Sequence, residues 1–275
     1  MIKKIYFAGC SITAGNELWE EANIPNYTSM AFKEARQTMS SLKKWKEADE
    51  YNKQNSFPAL VGERLGIETV NLGVSGISNK ELAMRVIANF PENHYNDIAV
   101  VIQLTTHNRM FLRYKEEGTR NTVGSFVVMA EADDDRLTKR QNNLLKEMFF
   151  ELLPESVLST DDHVFVYYAV EALKKKGIPV YLLWSKIEIV DWANWDINSG
   201  VDETAQFTIV SDTEPQFASA ISQHFANQHH DYNLLGTTMQ AIAGDGSRLP
   251  RMHFKKSAHE QIAKAILEKI KCLIG

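Results

Sequence analysis

Four short runs of consecutive apolar residues predict buried β-strands at 3–8, 68–72, 98–104 and 179–184. The third run, Ile-Ala-Val-Val-Ile-Gln-Leu, is apolar at six of its seven positions. Strands that are apolar throughout, rather than at every second residue, are typical of parallel sheets covered on both faces. A fifth strand is less evident, and 206–210 is the candidate.

Helical patterns fill the intervals between these strands, at 57–65, 79–89, 161–176 and 257–271. Thr160-Asp161-Asp162 is expected to cap the start of the third helix, and Gly177 to end it. Strands that alternate with helices build right-handed βαβ units. The pattern therefore predicts an α/β fold, a three-layer αβα sandwich around a mostly parallel five-stranded sheet.

Three stretches, 15–56, 107–135 and 186–240, are too long for simple connections. Loops beyond about 12–15 residues in a compact domain are usually lids, binding loops or inserted elements, and we expect an inserted helix within 31–54. No repeat or low-complexity linker divides the 275 residues. We therefore expect a single domain over 1–275.

The composition narrows the class of protein. Hydrophobic residues make up 44% of the chain and charged residues 24%, which is typical of a globular domain. The formal charge of −5 makes nucleic acid an unexpected partner. No apolar run reaches the ~20 residues that a membrane span needs. Cys10 and Cys272 are too far apart in sequence to suggest a disulfide framework, so a reducing, cytoplasmic compartment is expected.

Residues that could take part in catalysis follow the predicted strands, where an open parallel sheet binds its ligands. Ser11 follows the first strand, a glycine-rich turn the second, and His107 and Asn108 the third, while His253 precedes the last helix. Each alone has a commoner structural explanation, such as a helix cap or a tight turn. Together they supply a hydroxyl, free backbone N–H groups, a polar donor and an imidazole, which are the parts needed for acyl transfer.

These residues fall into four motif blocks that resemble those of the SGNH (GDSL-type) hydrolase family, in the family's order. The family's Gly-Asp-Ser-x-Thr corresponds to Gly9-Cys10-Ser11-Ile12-Thr13, and its Asn-x-Gly-x-Ser-Gly is intact at 71–76. Its Gly-x-Asn-Asp becomes Thr105-Thr106-His107-Asn108, and its Asp-x-x-His becomes Pro250-Arg251-Met252-His253. The resemblance spans residues 5 to about 266 and implies a flavodoxin-like sandwich.

The resemblance also implies roles for individual residues. Ser11 would be the nucleophile and His253 its base, while the oxyanion would be held by the N–H groups of Ser11 and Gly76 and by the side chain of either His107 or Asn108. The sequence departs from the family at two acids. Cys10 stands in place of the first Asp, and Pro250 in place of the Asp that orients the histidine.

Three groups could take over the role of that orienting Asp: a backbone carbonyl near Pro250, Asp245, or an acid from one of the insertions. We favour the carbonyl, which would make Ser11 and His253 a dyad. Changing the third member of a triad can cost about 10⁴ in rate, so the choice bears on activity.

The resemblance implies an ester hydrolase that forms an acyl-enzyme, either a deacetylase of O-acetylated saccharides or a small acyl esterase. It would use no cofactor and no metal, and its partner would be a small-molecule or saccharide ester. The alternative is a catalytically silent module that binds carbohydrate. Aromatic residues of the insertions could stack on sugar rings in either case: Trp19, Trp45, Trp192 and Trp195. A metal site formed by His224, His229, His230 and Asp231 is less favoured than a solvated loop.

Overall fold

The structure is a computed structural model, and it describes residues 2–31, 34–35, 45–92, 94–105, 109–114, 122–127, 137–148, 155–184, 233–244, 246–250 and 253–274. In chain order the strands are β1 (Lys4–Ala8), β2 (Glu68–Asn71), β3 (Ile98–Leu104), β4 (Arg109–Tyr114), β5 (Thr122–Val127), β6 (Val180–Trp184) and β7 (Asn233–Thr238). The α-helices are α1 (Ser11–Ala14), α2 (Leu18–Asn23), α3 (Trp45–Asn55), α4 (Phe57–Leu65), α5 (Asn79–Ala88), α6 (Lys139–Glu147), α7 (Glu155–Lys175), α8 (Met239–Ala243) and α9 (Lys256–Ile274), with a 3₁₀ turn at Tyr27–Ser29.

The main sheet has five strands in the order β2-β1-β3-β6-β7, and every neighbouring pair is parallel. This is the strand order of flavodoxin-like folds. The four strands predicted from apolar runs are confirmed, with ends that shift by at most one residue. The fifth strand is β7, and the candidate at 206–210 lies outside the described residues.

Helices cover both faces of this sheet, so the predicted three-layer sandwich is confirmed. Helices α4 and α9 pack together on one face, and α5 and α7 pack together on the other. All seven residues of β3 are buried, which explains why its sequence is almost uninterruptedly apolar. The ring of Phe57, at the start of α4, lies edge-on against Phe7 of β1, with centroids 5.8 Å apart.

The start of one helix departs clearly from the prediction. Helix α7 begins at Glu155, directly after Pro154, so Thr160-Asp161-Asp162 lies inside the helix and does not cap it. The preference of Thr and Asp for caps is a weak local bias, which a longer helix packed on a sheet overrides. The inserted helix expected within 31–54 is confirmed as α3, which ends one residue beyond that stretch.

The stretch at 107–135 contains a two-stranded antiparallel hairpin, formed by β4 and β5 and separate from the main sheet. This hairpin was not among the elements predicted from the sequence. Within the described part of the chain, no helix is both long and apolar enough to cross a membrane. The expectation of a single domain over 1–275 stays a prediction.

Candidate active site

The candidate site lies where the strand order of the sheet reverses. Strands β1 and β3 are neighbours, but the chain leaves them toward opposite edges of the sheet, and such a reversal opens a crevice at the carboxyl ends of the strands. Ser11 begins α1 three residues after β1 ends, and Thr105 follows β3 directly. Ser11 and Thr105, the first residue of the third motif block, therefore both lie at this edge of the sheet.

A glutamine from the neighbouring strand supports the serine turn. The Oε1 atom of Gln103 accepts hydrogen bonds from the Cys10 N–H and from the Thr13 hydroxyl, both at 3.0 Å. A Cβ atom on Gly9 would lie 2.7 Å from the same oxygen, so only glycine fits there. Cys10 replaces the family's Asp, and its Sγ atom lies 4.0 Å from Ser11 Oγ. Gln103, on the adjacent strand, thus anchors the backbone that presents Ser11.

The second motif block packs directly against α1. Asn71 Nδ2 donates to the Thr13 carbonyl at 2.7 Å, and its Oδ1 accepts from the Gly73 N–H at 2.9 Å. A Cβ atom on Gly73 would lie 2.4 Å from the Ala14 backbone nitrogen, so this close approach requires glycine. Gly76 has a φ of 77°, and a Cβ atom there would meet nothing within 4 Å. Gly76 therefore has open space beside it.

The third block is described only at its two flanks. Asn79 pairs with both backbone groups of Thr105, accepting from its N–H at 2.8 Å and donating to its carbonyl at 2.9 Å. Arg109 donates to the Ile77 carbonyl at 3.0 Å. Both flanks are thus tied to 77–79, directly after Gly76. His107 and Asn108 lie outside the described residues, so the choice between them as oxyanion donor stays open.

A carboxylate from the first insertion, Glu17, holds His253. Its Oε2 atom lies 2.5 Å from His253 Nδ1 and also accepts from the His253 N–H at 3.1 Å. The favoured expectation, an imidazole supported by a backbone carbonyl near Pro250, is therefore corrected. The partner of Nδ1 is the third alternative, an acid from the 15–56 stretch. Asp245 lies outside the described residues.

The chain turns sharply to bring Glu17 to this position. Gly15 and Glu17 both have left-handed backbone, with φ of 78° and 73°. The Glu17 side chain has an exposed fraction of 0%, and its Oε1 accepts a hydrogen bond from the Tyr27 hydroxyl at 2.5 Å. A buried carboxylate is costly unless hydrogen bonds compensate it. Tyr27 and His253 provide that compensation on the two oxygens.

The hydrogen-bond pattern around Glu17 determines which nitrogen of His253 can act as a base. An ionised carboxylate only accepts hydrogen bonds, and the Tyr27 hydroxyl and the His253 N–H both donate to it. We infer that Nδ1 of His253 carries the proton that it shares with Glu17. The other nitrogen, Nε2, then carries the lone pair of the neutral ring.

A short antiparallel bridge supports the segment that carries His253. The His253 carbonyl accepts from the Leu249 N–H at 2.7 Å, and the Lys255 N–H donates to the Ser247 carbonyl at 2.8 Å. The N–H of Lys256, at the start of α9, donates to Glu21 Oε2 at 2.8 Å. Helix α2, which follows Glu17, is therefore fastened to the residues on the C-terminal side of His253 as well.

A second histidine, His259, lies close by in α9 but is a structural residue. Its Nδ1 accepts a hydrogen bond from the Phe57 N–H at 3.1 Å, and its ring stacks on Phe57 at 5.8 Å. Burial, with a smaller contribution from the charge of His253, lowers the pKa of His259 from 6.5 to about 3. The ring is therefore neutral, and it joins α9 to the first turn of α4.

Glu17 was not among the site residues predicted from the sequence. The family pattern directs attention to the position three residues before the histidine, whereas Glu17 lies 236 residues before it in the chain. The only local signal is the run Gly15-Asn16-Glu17, which permits a turn but does not specify one. Trp19, considered as a platform for sugars, has an exposed fraction of only 6% and belongs to the core. The proposed metal ligands at 224–231 lie outside the described residues.

Comparison by sequence finds no family model and no curated protein that matches the chain. Solved structures with a similar fold include a member of the lipolytic protein G-D-S-L family from Veillonella parvula, at 10% identity and a TM-score of 0.44, covering 98% of both chains. A psychrotrophic esterase from Pseudoalteromonas is similar at 13% identity and a TM-score of 0.43, covering 99% of this chain and 98% of the other. A catalytic mutant of an acetylxylan esterase from Geobacillus stearothermophilus is similar at 14% identity and a TM-score of 0.43, covering 98% of this chain and 94% of the other.

The family name suggested by the motif blocks thus recurs among solved structures of similar fold. With identities of 10–15% and TM-scores from 0.40 to 0.44, these similarities carry no argument about activity.

Proposed function

We propose that this protein is a serine hydrolase that cleaves a carboxylic ester through an acyl-enzyme on Ser11. One observation carries the proposal. His253 is distant from Ser11 in sequence, yet its ring is held by Glu17, which lies only six residues after Ser11. The hydroxyl that follows β1 and the imidazole that Glu17 holds are thus linked through a short segment of chain, which supports their assignment as a nucleophile and its base.

The reaction would proceed in two halves. Ser11 Oγ attacks the acyl carbonyl carbon while its proton passes to His253 Nε2, and the imidazolium then protonates the departing alkoxide. Water attacks the acyl-enzyme next, again with His253 as base. The carboxylic acid leaves and the Ser11 hydroxyl is restored. No external oxidant, metal or cofactor is needed to balance these steps.

Backbone amides would stabilise the negative charge of the tetrahedral intermediate. Ser11 occupies the first turn of α1, where N–H groups have no acceptor inside the helix. Gly76 lies in the second block, which packs against α1, with open space beside it. We assign the N–H groups of Ser11 and Gly76 to the oxyanion, together with the side chain of His107 or Asn108. Preorganised donors of this kind contribute about 10²–10³ in rate each.

The substrate class is proposed more broadly than the reaction. An O-acetylated saccharide or another small acyl ester is compatible with the charge of −5, which gives no reason to expect an extended anionic partner.

Hydrolysis of p-nitrophenyl acetate by the wild type, Ser11→Ala and Cys10→Ala tests the proposal. Ser11→Ala should abolish turnover and labelling by a fluorophosphonate, because the hydroxyl is the nucleophile. Cys10→Ala is the matched control, because it removes the neighbouring thiol, 4.0 Å away, and leaves the hydroxyl in place. Turnover by Ser11→Ala at the wild-type rate would refute the serine mechanism, whereas no turnover by either protein would favour the silent binding module. Loss of activity in Cys10→Ala alone would identify the Cys10 thiol as the nucleophile.

A further inference from the structure

The geometry points to Glu17 as the orienting acid of this site, fixed in place by Tyr27. This inference rests on the proposed function and deepens it. The nucleophile and the acid would then both come from residues 11–17, while the histidine between them comes from the far end of the chain. Glu17 is a positioning residue, because it acts on the reaction only through the ring of His253.

The contacts of the two carboxylate oxygens support this assignment. Oε2 receives both the backbone N–H and the ring Nδ1 of His253, at 3.1 and 2.5 Å. Two contacts from one residue to one oxygen fix the ring relative to its own backbone. Oε1 receives the hydroxyl of Tyr27, whose exposed fraction is 1%. The carboxylate therefore cannot rotate without breaking a buried hydrogen bond.

Strained backbone is found at the residues that make these contacts or lie next to them. Across the part of the chain that the structure describes, Glu17 and Asn26 are the non-glycine residues with positive φ, at 73° and 58°. Glu17 carries the carboxylate, and Asn26 directly precedes Tyr27, which holds it. Strained backbone persists only where surrounding contacts overdetermine it, and it clusters at functional sites.

A purely structural role for Glu17 would be to dock the C-terminal segment onto the first insertion. Glu21 already does this four residues later, through its hydrogen bond to the Lys256 N–H at 2.8 Å. Glu21 accepts only a backbone N–H from the C-terminal segment, whereas Glu17 is also hydrogen-bonded to a ring nitrogen of His253. These two acids give a matched pair for experiment, because each bonds the same segment but only one touches the imidazole.

The first test compares turnover of p-nitrophenyl acetate by the wild type, Glu17→Gln, Tyr27→Phe and Glu21→Gln. Glu17→Gln should lower kcat by about 10³–10⁴, as expected when the acid of a triad becomes an amide, with little change in KM. The acidic limb of its pH–rate profile should move to lower pH, since the imidazolium loses its counter-charge. Tyr27→Phe should lower kcat by about tenfold, because the carboxylate loses one of its restraints. Glu21→Gln should stay within about twofold, because an amide oxygen still accepts from the Lys256 N–H.

The second test adds back a carboxylate. Glu17→Gly suits the left-handed backbone at this position and leaves a cavity, so sodium formate should restore part of its activity. Formate should not restore Ser11→Ala, which lacks the nucleophile. A residue that only supports the fold would not show rescue by a free carboxylate.

A readout independent of turnover is the strongly deshielded proton between His253 Nδ1 and Glu17 in the NMR spectrum. It should be present in the wild type and in Ser11→Ala, and absent in Glu17→Gln. Persistence of this proton in Glu17→Gln, or a kcat above about a tenth of the wild-type value, would overturn the assignment. If the wild type and Ser11→Ala hydrolyse the ester equally, the proposed function fails instead. If Glu17→Gln does not fold, Tyr27→Phe and the formate rescue decide the question.

Discussion

The buried ring of His259 makes stability depend on pH in a way that can be measured. Its pKa is lowered from 6.5 to about 3, mainly because burial disfavours the charged ring. A histidine with a lower pKa in the folded state takes up its proton first in the unfolded chain. The contribution of the neutral His259 ring to the free energy of unfolding is therefore complete above pH 6.5. This contribution is lost as the pH falls from 6.5 toward 3.

The size of this effect follows from proton linkage. At pH 5 the folded ring is neutral, while the unfolded chain is almost fully protonated at this residue. Each pH unit in this window costs about 1.4 kcal/mol per proton, so His259 removes about 2 kcal/mol of unfolding free energy between pH 7 and pH 5.

The assay is urea denaturation of the wild type and His259→Asn at pH 7 and at pH 5. An Asn side chain can still accept from the Phe57 N–H, but it does not titrate and does not stack. His259→Asn should be less stable at pH 7, and the difference should shrink by about 2 kcal/mol at pH 5. His94→Asn, at an exposed histidine, controls for the loss of one imidazole. The same difference at both pH values would refute the linkage argument.

Two further substitutions test the supports of the serine turn. Gly73→Ala places a Cβ atom 2.4 Å from the Ala14 nitrogen, so the backbone must move. We expect urea denaturation to show a loss of about 1–3 kcal/mol of stability, and kcat to fall at least 10²-fold. Gly66→Ala, whose Cβ atom would meet nothing within 4 Å, should leave kcat unchanged. Gln103→Leu leaves the Cys10 N–H and the Thr13 hydroxyl without their acceptor, and denaturation should show a loss of about 2–4 kcal/mol. Wild-type kcat in Gly73→Ala, or wild-type stability in Gln103→Leu, would contradict these expectations.

Much of the central architecture could be predicted from the sequence because its signals are local. A strand buried on both faces must be apolar along its length, so β3 was predicted with both ends correct. Helix α4 was equally clear, because Gly66 takes the left-handed conformation that ends it. Less of the inserted structure could be predicted. Neither strand of the β4–β5 hairpin is apolar along its whole length, since arginines flank the apolar residues of β4 and Gly124-Ser125 interrupt β5, and β7 follows a long polar stretch.

The residues of the candidate site also divide into those that could be predicted from the sequence and those that could not. Ser11, Gly76 and His253 could be proposed from motif spacing, because short backbone turns with special requirements leave their mark on neighbouring residues. Glu17 could not, since nothing near it in the sequence records which residue its carboxylate meets. The sequence by itself determined the layered sheet and the hydroxyl and imidazole that its edges carry. Only the tertiary structure decided what orients the imidazole, because that contact joins residues 236 positions apart and depends on a left-handed turn that local preferences disfavour.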